Sequence, residues 1–162
     1  MLEAESDGAE LMPLREGRPR KSEYQGYTRL AVAVDSGAAA SVMPEHCLPD
    51  HPVRPSDGSG SGVSYLAADG GRIPNRGEMT VSFLTQERHR CKLLFQVAAV
   101  KRPLLAVFTL TKAGNDVASH ATGGTITNRK TKRSINFIKK DGIYILDILV
   151  APPGAKSGPG GS

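Results

Sequence analysis

The residues able to do chemistry are concentrated in one peptide, Ala33-Val34-Asp35-Ser36-Gly37-Ala38-Ala39-Ala40-Ser41-Val42-Met43-Pro44. A carboxylate stands at the end of an alternating apolar run, followed by a hydroxyl, a glycine and small side chains. Glycine at position 37 lets the backbone turn sharply and lets a second copy of the loop come close. The Ser36 hydroxyl is then placed to hydrogen-bond across to that copy. The apolar strand behind Asp35 keeps water out, so two carboxylates brought together there share one proton instead of both ionising. The chemistry served by such a signature is aspartic proteolysis. Taken alone, Asp-Ser-Gly at a strand end is also an ordinary turn.

Other reactive residues form weaker patterns. His46, Cys47, His89 and Cys91 are metal-ligand types, but neither C-x-x-C nor H-x3-H spacing occurs, so we expect no metal site. The Gly/Ser run at residues 56–62 lacks both G-x-G-x-x-G and G-x-S-x-G spacing and reads as a flexible loop. Arg129, Lys130, Lys132 and Arg133, with Lys139 and Lys140, form the main rival signal, a basic cluster able to meet nucleic acid. No aromatic residues interleave it for base stacking, so we expect a solvated hairpin tip there and no nucleic-acid partner through this domain.

The elements that must position Asp35 are mostly strands. The 162 residues allow one domain, and 39% hydrophobic residues with no Trp allow one modest core. With 18 Gly and 11 Pro, turns and short strands are favoured over helical bundles. Leu30, Val32 and Val34 alternate with Ala31 and Ala33, and apolar residues recur with period two at 79–83 and 91–99, the last being the longest such run. Residues 85–90 read as a hairpin between two of them, and 63–66 as a further short strand. Residues 46–62 read as a long mobile loop, and 68–71 as a turn. Residues 104–113 read as a short helix closed by Gly114. Strands are expected at 124–127 and 134–138 around the basic turn. Asp141-Gly142 then leads into 143–150, whose apolar character on both sides predicts burial between layers. The expected fold is all-β: a small closed barrel with one short helix in its C-terminal half.

Residues 1–26 and 151–162 are polar or rich in Pro, Gly and Ser, and we expect a disordered leader or linker, a domain over 27–150, and a disordered tail. Both ends read as cuts in a longer polypeptide. Residues 1–10 carry four acids and no base, the opposite of a signal or transit peptide. No run approaches the roughly 20 apolar residues of a membrane span. Two cysteines make no disulfide scaffold, so an intracellular, reducing setting is expected, with no membrane partner.

At this point the sequence resembles a known family. Asp35-Ser36-Gly37-Ala38 matches the D-[ST]-G-A motif of retropepsins, the aspartic proteases of retroviruses and LTR retrotransposons. Ala67-Ala68-Asp69-Gly70, with Ile73 and Gly77, resembles the A-[DN]-G-x-x-I-x-x-x-G stretch at the flap of retrotransposon versions. Phe95-Gln96-Val97 resembles the F-x-V strand that follows, and Pro103-Leu104-Leu105-Ala106 takes the place of the late apolar-apolar-Gly motif. The likeness spans residues 30–150. Two departures stand out: Ala39 and Ala40 lie where retroviral enzymes often carry acids that hold substrate backbone, and Ala106 replaces the usual glycine, which would crowd the loop.

The resemblance implies an acid-protease barrel with Asp35 as the catalytic group and Ser36, Gly37 and Ala38 as its supporting loop. Ala67, Ala68, Asp69, Gly70, Gly71 and Arg72 would form a flap over substrate, mobile until an extended peptide orders it. Leu104, Leu105 and Ala106 would pack beside the catalytic loop. Asp-Ser-Gly occurs once, since Asp57-Gly58-Ser59 and Asp69-Gly70-Gly71 do not fit the motif. One Asp per chain then requires a symmetric homodimer with the site on its two-fold axis. The partners implied are a second copy and an extended peptide or polyprotein, with no metal or organic cofactor. The rival of another class is a catalytically inactive remnant of the fold, serving as a dimerisation or RNA-associated module.

Overall fold

In the computed structural model, residues 5–6, 24–62, 64–66 and 70–154 are described. The fold is all-β, and six strands close into a barrel. The strands are β1 (Glu5–Ser6), β2 (Thr28–Asp35), β3 (Val42–Pro44), β4 (Ser64–Leu66), β5 (Arg72–Pro74), β6 (Gly77–Leu84), β7 (His89–Ala98), β8 (Leu104–Ala106), β9 (Asn115–His120), β10 (Gly123–Asn128), β11 (Ser134–Lys140) and β12 (Ile143–Val150). Two short α-helices lie wholly among the described residues, α1 (Asp57–Gly60) and α2 (Val107–Lys112).

The period-two runs set the barrel wall. In the β6–β7 hairpin Met79 faces Phe95, Val81 faces Leu93 and Phe83 faces Cys91, and all six side chains are buried. Such cross-strand apolar pairs are the unit of sheet stabilisation. From β7 the ring passes through β3, β8, β2 and β12 and returns to β6, where Leu149 faces Leu84. β2 runs parallel to β8, and β3 parallel to β7. Val32, Val34, Met43, Leu105, Leu146 and Ile148 fill the interior. From β12 the sheet continues as an antiparallel meander through β11 and β10 to β9. The two-residue loop between β11 and β12 is Asp141-Gly142, both at positive φ (51° and 79°), as a type I′ hairpin turn requires. Among the described residues no helix is long and apolar enough to cross a membrane.

Several elements differ from expectation for identifiable reasons. The stretch expected as a helix over 104–113 starts as strand β8, and the helix is confined to Val107–Lys112. Leu104 and Leu105 pair with Ala33 and Val34 at the barrel wall, and that tertiary pairing outweighs a weak helical propensity. The loop at 46–62 is more structured than expected. It holds a 3-10 turn at Glu45–Cys47, the helical turn α1 with Ser56 and Ser59 forming a capping box, and a two-way backbone bridge from Arg54 to Glu78. β12 is buried only in its second half, because Ile143, Tyr144, Ile145 and Asp147 line the part of the sheet that leaves the barrel. Strand β9, too polar to read as a strand, was not expected; it is the outer edge of the meander. Packing extends N-terminally to Tyr24, which is buried against Leu84 and Leu149 with Tyr27 edge-on at 5.5 Å.

Two histidines give this fold a pH dependence. Burial lowers the pKa of His89, with Arg133 adding to the lowering and Glu87 opposing it, and Nδ1 of the ring has no hydrogen-bond partner among the described residues. Burial also lowers His51, against weaker opposing effects of the Ala151 backbone and Asp50. In the unfolded chain both rings take up a proton near pH 6.5, roughly the ordinary value, which the folded chain resists. Stability therefore falls as pH drops through that value towards the lower folded-state values. Thermal melting followed between about pH 7 and pH 5 should show this decline, flattened in a His51→Gln/His89→Gln variant. An equally steep decline in the double variant contradicts it.

Candidate active site

Asp35 is the last residue of β2 and is half-buried, while Ser36 and Gly37 after it are exposed. One carboxylate oxygen, Oδ1, accepts the Gly37 N–H at 2.8 Å, so the loop holds the orientation of its own acid. The other oxygen makes no hydrogen bond among the described residues. Gly37 does not have positive φ; an added Cβ would lie 3.4 Å from Oδ1. The glycine here leaves room beside the carboxylate.

The base of the loop is tied down behind Asp35. Parallel pairing sets Asp35 opposite Ala106, and Ala33 donates its N–H to the Pro103 carbonyl at 2.9 Å. Ser41, buried at the other end of the loop, accepts the Ala106 N–H at 3.0 Å through its Oγ, which lies 3.2 Å from Thr109 Oγ1. Thr109 Oγ1 in turn donates to the Ala106 carbonyl at 2.9 Å. Ser41, Ala106 and Thr109 thus lock the Asp35 loop to the start of α2. Ala106 is fully buried at φ −79° and ψ 120°, a backbone conformation open to any L-residue. Replacing Ser41 by Ala leaves the buried Ala106 N–H unpaired and should cost about 1–3 kcal/mol. Denaturant unfolding measures this, and a loss below about 0.5 kcal/mol contradicts the assigned role.

In front of Asp35 lies an open cavity of about 540 Å³. Its lining comes from four places: the Asp35 loop (Asp35, Gly37 and the alanines 38–40), Val42, the β4–β5 hairpin (Tyr65 and Ile73), and the turn into β8 with Leu104. The hairpin is a separate two-stranded sheet with Tyr65 directly opposite Ile73. Ala67, Ala68 and Asp69, expected at the flap tip, lie outside the described residues. Gly70 has φ +90°, and Gly70, Gly71 and Arg72 are exposed. Of the expected site residues, Asp35, Gly37, Ala38 and Leu104 meet at the cavity. Ser36 and Arg72 lie outside its lining, and Leu105 and Ala106 pack in the core behind it.

The main feature missed from sequence is Asn75, buried at 8% exposure just after β5. Its Nδ2 donates to Tyr65 Oη at 3.0 Å and to Gln96 Oε1 at 2.8 Å. Its Oδ1 accepts the Gly77 N–H at 2.8 Å and the Ser56 hydroxyl at 3.2 Å. One amide therefore ties both legs of the hairpin to β7 and α1. Gly77 must be glycine at this join: φ is +133°, and a Cβ would sit 2.4 Å from the Arg54 carbonyl oxygen. Burial pushes the Tyr65 phenol above its ordinary pKa, partly offset by the Asn75 bond, so it is a neutral group at the cavity wall.

Comparison with protein-family models, curated proteins and solved structures finds no match. What the site can do therefore rests on its own geometry. A loop-held carboxylate borders an apolar cavity whose far wall is a tethered hairpin, a setting suited to an extended chain laid past an acid. The metal-ligand types do not converge there. Among the described residues no three His, Cys, Asp or Glu side chains gather in a cation-binding group. Of the basic cluster, Arg129 is occupied by Asp116 at 2.8 Å and by the Asn115 and Thr111 carbonyls.

Proposed function

We propose that the chain is an aspartic endopeptidase of the retropepsin type, active as a homodimer. The observation that carries this is the placing of Asp35: on an exposed loop locked from behind by Ser41 and Thr109, at the mouth of a cavity walled by a hairpin. The exposure of Ser36 and Gly37 leaves the loop accessible to a second copy. In the dimer, the two Asp35 carboxylates hold one water and share one proton. One carboxylate takes a proton from the water as its oxygen attacks the scissile carbonyl carbon, and the other gives its proton to the carbonyl oxygen. The tetrahedral diol then collapses, the C–N bond breaks, and the nitrogen leaves as an amine after gaining a proton from the dyad. The chain's own polyprotein, processed inside the cell, is the substrate context this reading carries.

The test is cleavage of an unstructured protein such as casein across acidic to neutral pH, at a series of chain concentrations. A dimeric site predicts that activity per chain rises with concentration until pairing saturates. Constant activity per chain at every dilution contradicts the shared site. No cleavage under any condition leaves the inactive-remnant reading, for which Ala39 and Ala40 offer no side-chain donors or acceptors to a substrate backbone.

A further inference from the structure

Among the described residues two charged side chains line the cavity, and the mechanism above uses one of them and leaves the other without a task. Lys101 lies in the turn between β7 and β8 and lines the same cavity as Asp35. It is exposed, and among the described residues its ammonium has no hydrogen bond and no carboxylate within 4 Å, Asp35 included. Its neighbour Arg102 lines a different recess, in the company of Asp141 and Asp147. Around Lys101 the lining is otherwise alanine, Val42, Ile73, Val100 and Leu104, with Tyr65 neutral. A chain lying in this cavity meets an apolar wall and, among the described residues, a single unpaired cation, beside an acid reserved for chemistry.

We propose that Lys101 selects substrates carrying an Asp or Glu close to the apolar residue that the cavity takes. This rests on the reading of the cavity as the substrate channel. The apolar side chain seats against Val42, Ile73 and Leu104, and the acid side chain reaches the ammonium at the rim. Because Lys101 is exposed, the pairing is screened by salt and contributes selectivity more than affinity.

The experiment uses the full chain carrying Asp35→Asn, which holds peptide without cutting it. Fluorescein-labelled octapeptides with a central Leu-Leu and Glu, Gln or Lys at each flanking position in turn are titrated by anisotropy. At one flanking position or more, the Glu peptide should bind about fivefold tighter than Gln, and Gln tighter than Lys, at low ionic strength. The order should shrink in high salt, vanish in Lys101→Met and reverse in Lys101→Glu. Equal binding of the three peptides, an order that survives both Lys101 substitutions, or no binding by any peptide overturns the proposal. Cleavage of the same peptides by the wild-type chain reports separately on proteolysis: cutting without charge preference sinks the Lys101 role alone, and absence of cutting sinks the protease.

Discussion

Asp35→Asn should abolish peptide cleavage while the chain stays folded and paired. Asn keeps the size of the side chain, and its Oδ1 still accepts the Gly37 N–H that fixes Asp35 at 2.8 Å. The half-buried position makes no ion pair among the described residues, so removing its charge leaves no partner stranded. What disappears is the capacity to take and return a proton, and with it at least about 10³-fold in rate. Circular dichroism, sedimentation and a cleavage assay on one preparation check the three parts together. A variant that is folded, paired and as fast as its parent removes Asp35 from the chemistry. Asp35→Ala is the poorer probe, because it also frees the Gly37 N–H.

Asn75→Ala has the largest expected effect on stability among the site residues. It deletes four hydrogen bonds at once and strands the buried Gly77 N–H. An unpaired buried donor carries its full desolvation cost, so the loss is about 2–4 kcal/mol. For a domain of this size that corresponds to a fall in Tm of roughly 10 °C. The same substitution unties the β4–β5 hairpin from β7 and α1, so peptide binding should weaken more than the chemical step slows. Equal Tm values for parent and variant, to within about 2 °C, contradict the role of Asn75 as the tether.

Particular residues show why some of this was legible in the sequence and some was not. Met79, Val81 and Phe83 with Cys91, Leu93, Phe95 and Val97 announce a two-stranded wall, because one buried face imposes a strict period of two. Asp141-Gly142 announces its own turn through backbone chemistry. Leu104-Leu105 is too short an apolar run to separate strand from helix, and its pairing with β2 comes from residues some seventy positions away. At the site, Asp-Ser-Gly alone reads as an ordinary turn, and Asp35 is singled out by the further matches at 67–77 and 103–106. Tyr65 is not, although antiparallel pairing of β4 with β5 sets it directly opposite Ile73. Asn75 carries no local signal at all: its side-chain partners lie 10, 19 and 21 residues away, beyond any periodicity.

The shared acid is tested most directly by native mass spectrometry of the chain with a statine-containing peptide, whose hydroxyl mimics the tetrahedral diol between the two carboxylates. The account predicts a complex of two chains and one inhibitor, held far more weakly when the chains carry Asp35→Asn and keep only the peptide contacts. One inhibitor on each single chain, or undiminished binding by the Asn variant, contradicts an active site built from two copies of Asp35.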